Sequence, residues 1–337
     1  DTITEWPLFT AHLGDLHPHL LSMPIACLAL MVAWQAGKKG PNAAHMVFLA
    51  VLFGVAWASN PWAMPPTLAG IALLMVAGKD RWHWPGGGGT RRWLAIAAVG
   101  IGGWLITAPF HLGFKPFFEG IKKVFAWTDP GHLLLYGGCL LIPAGFAATA
   151  LLAKTMVAEP VVKRAVMLLA GAATLVLAAA TGRPTLVFLA VIMVIFIVAV
   201  LKKTAGVDRP ALALAALGVF LFLVPEVVYV ADNYGEDLHR MNTVFKAYIQ
   251  GWVLLAIALP VFFRLGLRRR AVRWGALVLA VLLALPHPLA MVIQQFKAEA
   301  WGLDGMAWMT DGDRAIVDAL RKEPHGTVVA EAVGGAY

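Results

Sequence analysis

Charge is what this sequence has least of. Only 14% of its 337 residues are charged, while 60% are hydrophobic; a soluble domain of this size carries about a quarter charged residues. That balance excludes a water-soluble α/β enzyme. Cysteine is nearly absent. Cys27 and Cys139 each sit within an apolar segment, which excludes a disulfide framework and a CxxC metal site and leaves them as small packing residues. An initiator methionine and a signal-peptide pattern are also missing. The chain opens at Asp1 and stops in the run Glu331–Tyr337, so it reads as a piece of a longer protein, short of material at both ends. The glycine run Gly86–Gly89 lacks the Gly-Lys-Ser/Thr ending of a phosphate loop and reads as a flexible hairpin between interfacial tryptophans.

What is present is a series of apolar blocks, each about 17–25 residues long, the length that crosses a hydrocarbon core. Ten candidate spans run 18–36, 43–58, 62–77, 93–109, 131–152, 165–181, 185–201, 211–230, 247–263 and 274–293. The loops between them alternate in charge. One set holds seventeen of the 27 basic residues, including Lys38, Lys39, Arg91, Arg92, Lys163, Lys202 and Arg268–Arg270; the other set holds six, Lys115, Lys122, Lys123, Arg183, Arg240 and Lys246. By the positive-inside rule the basic set is cytoplasmic. The net charge of +8 is then a matter of topology and needs no nucleic-acid partner. Acidic residues run the other way: Asp80, Glu159 and Asp208 alone among 19 fall on the basic side. Topology does not require that asymmetry, so it directs attention to the outer face.

The outer face carries the residues with chemistry. Asp15-Leu-His17-Pro-His19 precedes the first span. In an extended segment, Asp15, His17 and His19 point the same way, and Pro18 biases His17 toward that conformation. One carboxylate and two imidazoles suit a divalent metal with open positions. The competing reading makes Asp15 a helix cap and the histidines interfacial. Phe110–Glu119, with Lys115, reads as an amphipathic stretch on the membrane surface. Arg183 sits at a tight outer turn, where its planar fork suits a phosphate. Glu226 lies near the outer end of the eighth span, where an acid is costly. Arg240, Asn242 and Lys246 enter the mouth of the ninth span together. After about residue 294 the character changes: Asp311–Lys322 reads as an amphipathic helix and Thr327–Val333 as a buried strand, the start of an outer α/β segment. The domains expected are therefore 1–293, transmembrane, and 294–337, extracytoplasmic.

Four motifs carry a resemblance. Thr2-Ile-Thr-Glu5-Trp-Pro-Leu-Phe, Gly14-Asp15-Leu-His-Pro-His19, Arg240-Met-Asn-Thr-Val-Phe-Lys246 and Glu331-Ala-Val-Gly-Gly-Ala-Tyr337 resemble, in order and across nearly the whole chain, the Chlor-Arch YYY membrane protein family. The tyrosine run for which that family is named is absent here. The resemblance in turn implies kinship with the GT-C glycosyltransferases, multi-span enzymes that use polyprenyl-phosphate sugar donors and place an acidic catalytic residue in an early outer loop; the location expected for this chain is the plasma membrane. By that resemblance the fold is an all-α, GT-C-like bundle. Asp15 and Glu5 are then the candidate catalytic acids, with Asp15, His17 and His19 as ligands of a divalent metal (Mg or Mn). Lys115, Arg183, Glu226, Arg240, Asn242 and Lys246 are the candidate substrate and phosphate ligands. The alternative is a transporter or flippase for an anionic lipid or solute, which would require polar residues at mid-membrane on several helices.

Overall fold

The computed structural model describes residues 17–77, 89–115, 119–202, 204, 207–232, 238–266, 270–296, 309–324 and 326–327. Glu5, Asp15, the loop 78–88 and the expected strand beyond Thr327 lie outside the described residues.

Proline and short polar caps set where the helices begin. Helix α1 (Pro18–Lys39) starts on a proline, whose missing N–H costs nothing in a first turn. Asn42 caps α2 (Ala43–Ser59) by accepting from the His45 N–H at 2.8 Å. Asn60 caps the 3-10 turn Pro61–Ala63, which runs into α3 (Met64–Ala77). Helices α4 (Gly89–Ile106) and α5 (Ala108–Gly113) follow. Asp129 caps α6 (Pro130–Ala158) through the Gly131 N–H at 2.7 Å. Gly182, at φ 64°, turns α7 (Val161–Thr181) into α8 (Pro184–Leu201). Asp208 caps α9 (Arg209–Leu223). Helices α10 (Met241–Gly266) and α11 (Arg270–Ala284) complete the bundle, and α12 (Pro286–Phe296) follows a break at Leu285.

Every expected span falls largely on helix, so the protein is an all-α membrane protein. Two spans differ from expectation, one at its end and one within it. The eighth stops at Leu223, where Pro225 prevents continuation. A 3-10 turn (Val224–Glu226) and a strand follow, so the expected boundary at 230 is too late. The tenth is interrupted at Leu285, ahead of Pro286 and Pro288. Among the described residues, five helices are long and apolar enough to cross a membrane: α1, α6, α8, α9 with its following turn, and α10. Four shorter apolar helices lie in the regions of α2, α3, α4 and α11. One small sheet interrupts the helical pattern: β1 (Gly120–Lys123) pairs antiparallel with β2 (Val228–Ala231), Gly120 opposite Ala231.

Two cores share a central pair. Ala29, Phe53, Ile71 and Val99 bring α1–α4 together, and Leu141, Phe196 and Phe262 bring α6, α8 and α10 together. Helices α9 and α10 contribute to both. They cross closely because both are glycine at the contact: a Cβ on Gly251 would stand 2.8 Å from the Gly218 carbonyl oxygen. Gly54 and Gly103 do the same for α2 and α4, with 2.5 Å between a Cβ on Gly54 and the Gly103 oxygen. Membrane helices associate through such small residues, since lipid supplies no hydrophobic drive between them.

The chain divides into two units, Asp1–Pro288 and Leu289–Tyr337. In the second, helix α13 (Asp311–Leu320) forms where the sequence reading placed an amphipathic helix. Thr310 and Asp313 close a capping box at its start.

Candidate functional site

Two groups of polar residues of the first unit lie at one end of the bundle, where α1, α6, α8 and α10 begin and α9 ends.

The first centres on Glu226. Its carboxylate is fully buried, and the Arg240 guanidinium beside it is 6% exposed. Arg240 Nη1 donates to Glu226 Oε1 at 3.1 Å and to the Pro225 carbonyl at 3.0 Å, and Nη2 donates to Thr128 Oγ1 at 3.0 Å. The Thr128 hydroxyl donates to Glu226 Oε1 at 2.5 Å, and its backbone N–H donates to Oε2 at 3.0 Å. Tyr248 reaches the same carboxylate oxygen at 3.2 Å. A bare charge here is prohibitively costly; the opposite charge and three further donors make Glu226 tolerable. The network ties together the approach to α6, the end of α9 and the start of α10. Thr185, at the start of α8, adds a fourth element by donating to the Thr128 carbonyl at 2.7 Å.

The small sheet extends this frame. Thr243 Oγ1 accepts from the Val230 N–H at 2.9 Å, fastening β2 to α10. His239 stacks on Phe125 with ring centroids 3.7 Å apart and packs edge-on against Tyr229.

The second group lies at the mouth of α1 and α10. His17 occupies the N-cap position in an extended conformation, and His19 is already in the first helical turn. The extended run expected through His19 therefore ends at His17. The rings nevertheless lie 5.0 Å apart. His19 packs edge-on against Phe245 at 4.8 Å, and Lys246 Nζ stands 4.7 Å over the same ring. Below His19, a half-open cavity of about 30 Å³ runs between α1, α10 and the turn into α3. Ser22 and Gln250 line it near the mouth. Gln250 is fixed by donating to the Trp62 carbonyl at 2.9 Å, and Ser22 by donating to the His19 carbonyl at 3.1 Å.

The sequence-expected residues are thus distributed unevenly. Glu226 and Arg240 meet each other, buried. His19 and Lys246 meet at the Phe245 ring, and His17 lies beside His19. Arg183 lies over the Trp127 ring at 4.1 Å, one residue from Thr128. Asn242 turns to its own loop, donating to Asp232 at 2.7 Å. Lys115 is exposed beyond α5, and no hydrogen bond or ion pair among the described residues joins it to either group. No three metal-binding side chains converge among the described residues; Asp15, the third member of the expected set, lies outside them, as does Glu5.

Sequence reading missed Thr128, Tyr248, Thr185 and His239. Tyr248 carried a signal: Arg240, Val244 and Tyr248 recur every four residues and share one face of a helix. Thr128 showed only as the residue before a capping Asp-Pro pair. Nothing local could link it to Glu226, 98 positions away.

At the opposite end, Glu159 accepts from Lys202 at 2.8 Å and lies 3.2 Å from Lys163. The hydrogen bonds from Lys202 and Lys163 hold its carboxyl below the usual carboxylate range. The ion pairs join the α6–α7 turn to the end of α8.

No curated protein and no solved structure matches the chain. A family model does match, and it covers every residue of both groups. With residues 1–255 of 337 matched, the chain belongs to the family described as uncharacterized membrane protein (DUF2298).

Proposed function

We propose that this protein is a membrane glycosyltransferase, of GT-C-like architecture with ten spans, that transfers a sugar from a polyprenyl-phosphate donor at the extracytoplasmic face of the plasma membrane. The observation that carries this reading is the mouth of α1 and α10. There His19 and Lys246 pack on Phe245, with His17 beside His19, directly above a cavity whose polar rim gives way to an apolar wall. An amphiphilic donor has that same division. The resemblance of the Asp15–His19 and Arg240–Lys246 segments to a GT-C-related family supports the same conclusion.

The chemistry is an inverting displacement. The Asp15 carboxylate takes the proton of an acceptor hydroxyl, with Glu5 as the second acidic candidate. The acceptor oxygen then bonds to the anomeric carbon as the bond from that carbon to the phosphate oxygen breaks, and the lipid phosphate leaves with the electron pair. Lys246 and Arg183 are the cations suited to stabilise that leaving group. Arg240 acts through Glu226 and Thr128 by holding the helix ends in place. Two neighbouring imidazoles and one carboxylate fit manganese better than magnesium, because imidazole is a poor magnesium donor. When bound, such an ion neutralises phosphate charge.

The test is release of polyprenyl phosphate from labelled lipid-linked sugars by the membrane-embedded protein. Wild type is expected to release it, and Asp15→Asn to lose release while still inserting. Full activity in Asp15→Asn sinks the assignment of the base. A chelator is expected to suppress release and added manganese to restore it. The polar rim around Ser22, Thr67 and Gln250 also favours a second reading, transport of an anionic lipid. Movement of an intact lipid phosphate between leaflets, with no sugar released from any donor, would select it.

A further inference from the structure

The segment between α4 and α6 carries a large apolar surface interleaved with lysines. It starts from the last turns of α4, where Ile101, Leu105 and Ile106 are exposed. The Thr107 hydroxyl donates back to the Gly103 carbonyl at 2.9 Å and stands 3.0 Å from His111 Nε2. The His111 ring packs 4.3 Å from Trp57 and stacks with Trp104 at 6.4 Å. Those contacts pin the short helix α5 across the ends of α2 and α4, at the level of two tryptophans. Phe110 and Phe114 stack on each other at 5.0 Å and remain exposed, and Leu112 is 79% exposed.

Strand β1 continues the pattern. Successive residues of a strand point to opposite faces. Val124 is buried with Tyr229 and Ala231, so Ile121 and Lys123 share the other face, with Val230 and Val228 across the ladder. Ile121 is 67% exposed. From Thr107 to Thr128 the sequence holds three lysines, Lys115, Lys122 and Lys123, and one acid, Glu119. All three lysines are exposed. Glu119 lies 4.0 Å from Lys122, and the ammonium groups of Lys115 and Lys123 have no acceptor among the described residues.

Lysines on a short edge strand guard against unwanted pairing. That accounts for Lys122 and Lys123, but not for the exposed phenylalanines, Leu112 and Ile121 that accompany them. An apolar patch of this kind marks a surface that something covers. Its position names the cover. The patch begins on the exposed apolar end of α4 and lies at the level of Trp57 and Trp104, where amphipathic segments rest among lipid head groups. The excess of lysine over acid names the charge of those head groups.

We infer that α5 and β1 form a foot that rests on the membrane surface and selects anionic phospholipid. Phe110, Leu112, Phe114 and Ile121 enter the interface, while Lys115, Lys122 and Lys123 meet the head-group phosphates. The partner is the bilayer surface as a whole, and the foot stands apart from whatever reaction the neighbouring site performs.

The test measures depth. The full chain, with Cys27→Ala and Cys139→Ala, carries a nitroxide spin label at Leu112→Cys or Ile121→Cys. It is placed in nanodiscs of phosphatidylcholine alone or of phosphatidylcholine mixed with phosphatidylglycerol. Electron paramagnetic resonance reads the access of each label to oxygen, which concentrates in the bilayer, and to a neutral nickel chelate, which stays in water. Both labels are expected to be shielded from the chelate. Phosphatidylglycerol is expected to lower the chelate's access to the Ile121 label by a further factor of about five, the preference one lysine contributes near an anionic surface. High salt should remove that difference, because it screens exposed charge. The variant Lys115→Gln/Lys122→Gln/Lys123→Gln should read the same in both lipids, with its melting temperature confirming that the fold is kept. Labels as open to the chelate as a site in water would overturn the inference and leave the patch to a protein partner. An equal reading in both lipids for the wild-type lysines, or a phosphatidylglycerol response that survives in the triple variant, would overturn it as well.

Discussion

Breaking the Glu226–Arg240 pair from one side should cost far more than removing it altogether. Both groups are buried, at 0% and 6% exposure, so Arg240→Met leaves a carboxylate held only by Thr128 and Tyr248. Removing one partner of a buried pair typically costs about 3–5 kcal/mol, because the survivor is left uncompensated. Glu226→Leu strands the guanidinium with the Pro225 carbonyl and Thr128 and should cost a similar amount. The double variant Glu226→Leu/Arg240→Met strands no charge. It takes the carboxylate acceptor from the Thr128 N–H and hydroxyl and from the Tyr248 hydroxyl, and the guanidinium donor from the Pro225 carbonyl, at about 1–3 kcal/mol for each neutral group left unsatisfied. The cycle should therefore show a coupling of roughly 3 kcal/mol or more. Thermal unfolding in mild detergent, followed through the 13 tryptophans, reads it. The double variant should unfold above both single variants. Additive losses, or an Arg240→Met variant as stable as wild type, would refute the reasoning and reopen Arg240 as a direct phosphate ligand.

Three further outcomes follow from the same physics. Tyr248→Phe, which removes one hydrogen bond to a charged acceptor, should cost about 1.5–3 kcal/mol, less than either loss of charge, in the same melts. Gly54→Ala should destabilise strongly because the new methyl meets the Gly103 carbonyl oxygen at 2.5 Å, whereas Gly145→Ala, with nothing within 4 Å, should leave the melting temperature unchanged or slightly higher. At Glu159, the folded carboxyl lies below its unfolded range through hydrogen bonds from Lys202 and Lys163. Its stabilising contribution is present above the ordinary glutamate value of about 4.3 and is lost as pH falls through the lower folded value. Melting temperatures of wild type and Glu159→Gln should accordingly differ by a small amount at neutral pH and converge in acid; a gap that widens on acidification would contradict this.

Local signals carried most of the helical frame. The apolar blocks fixed where helices form, and asparagine, aspartate and proline fixed where several start, because capping and steric exclusion act over a few residues. The eighth span shows the limit. Its hydropathy runs on to residue 230, but Pro225 stops the helix and residues 228–231 pair with a strand over a hundred positions earlier. Val-Val-Tyr-Val is apolar in either conformation, and only the partner decides.

The candidate site divides along the same line. That His17, His19, Arg183, Glu226, Arg240 and Lys246 lie at one end of the bundle followed from charge alternation between apolar blocks, a property of the linear chain. Which of them meet did not. Glu226 and Arg240 satisfy each other because the α9–α10 crossing, closed by Gly218 and Gly251, brings the end of one helix to the start of the next. Thr128 and Tyr248 complete that group because a buried carboxylate takes whatever donors the packing delivers. His19 and Lys246 share the Phe245 ring because the first turns of α1 and α10 meet through their side chains. The sequence by itself determined a membrane protein with its polar chemistry at one end. The tertiary structure decided which charges are spent on each other and which stay at the helix ends, since burial and distance are properties of packed helices and not of any one of them.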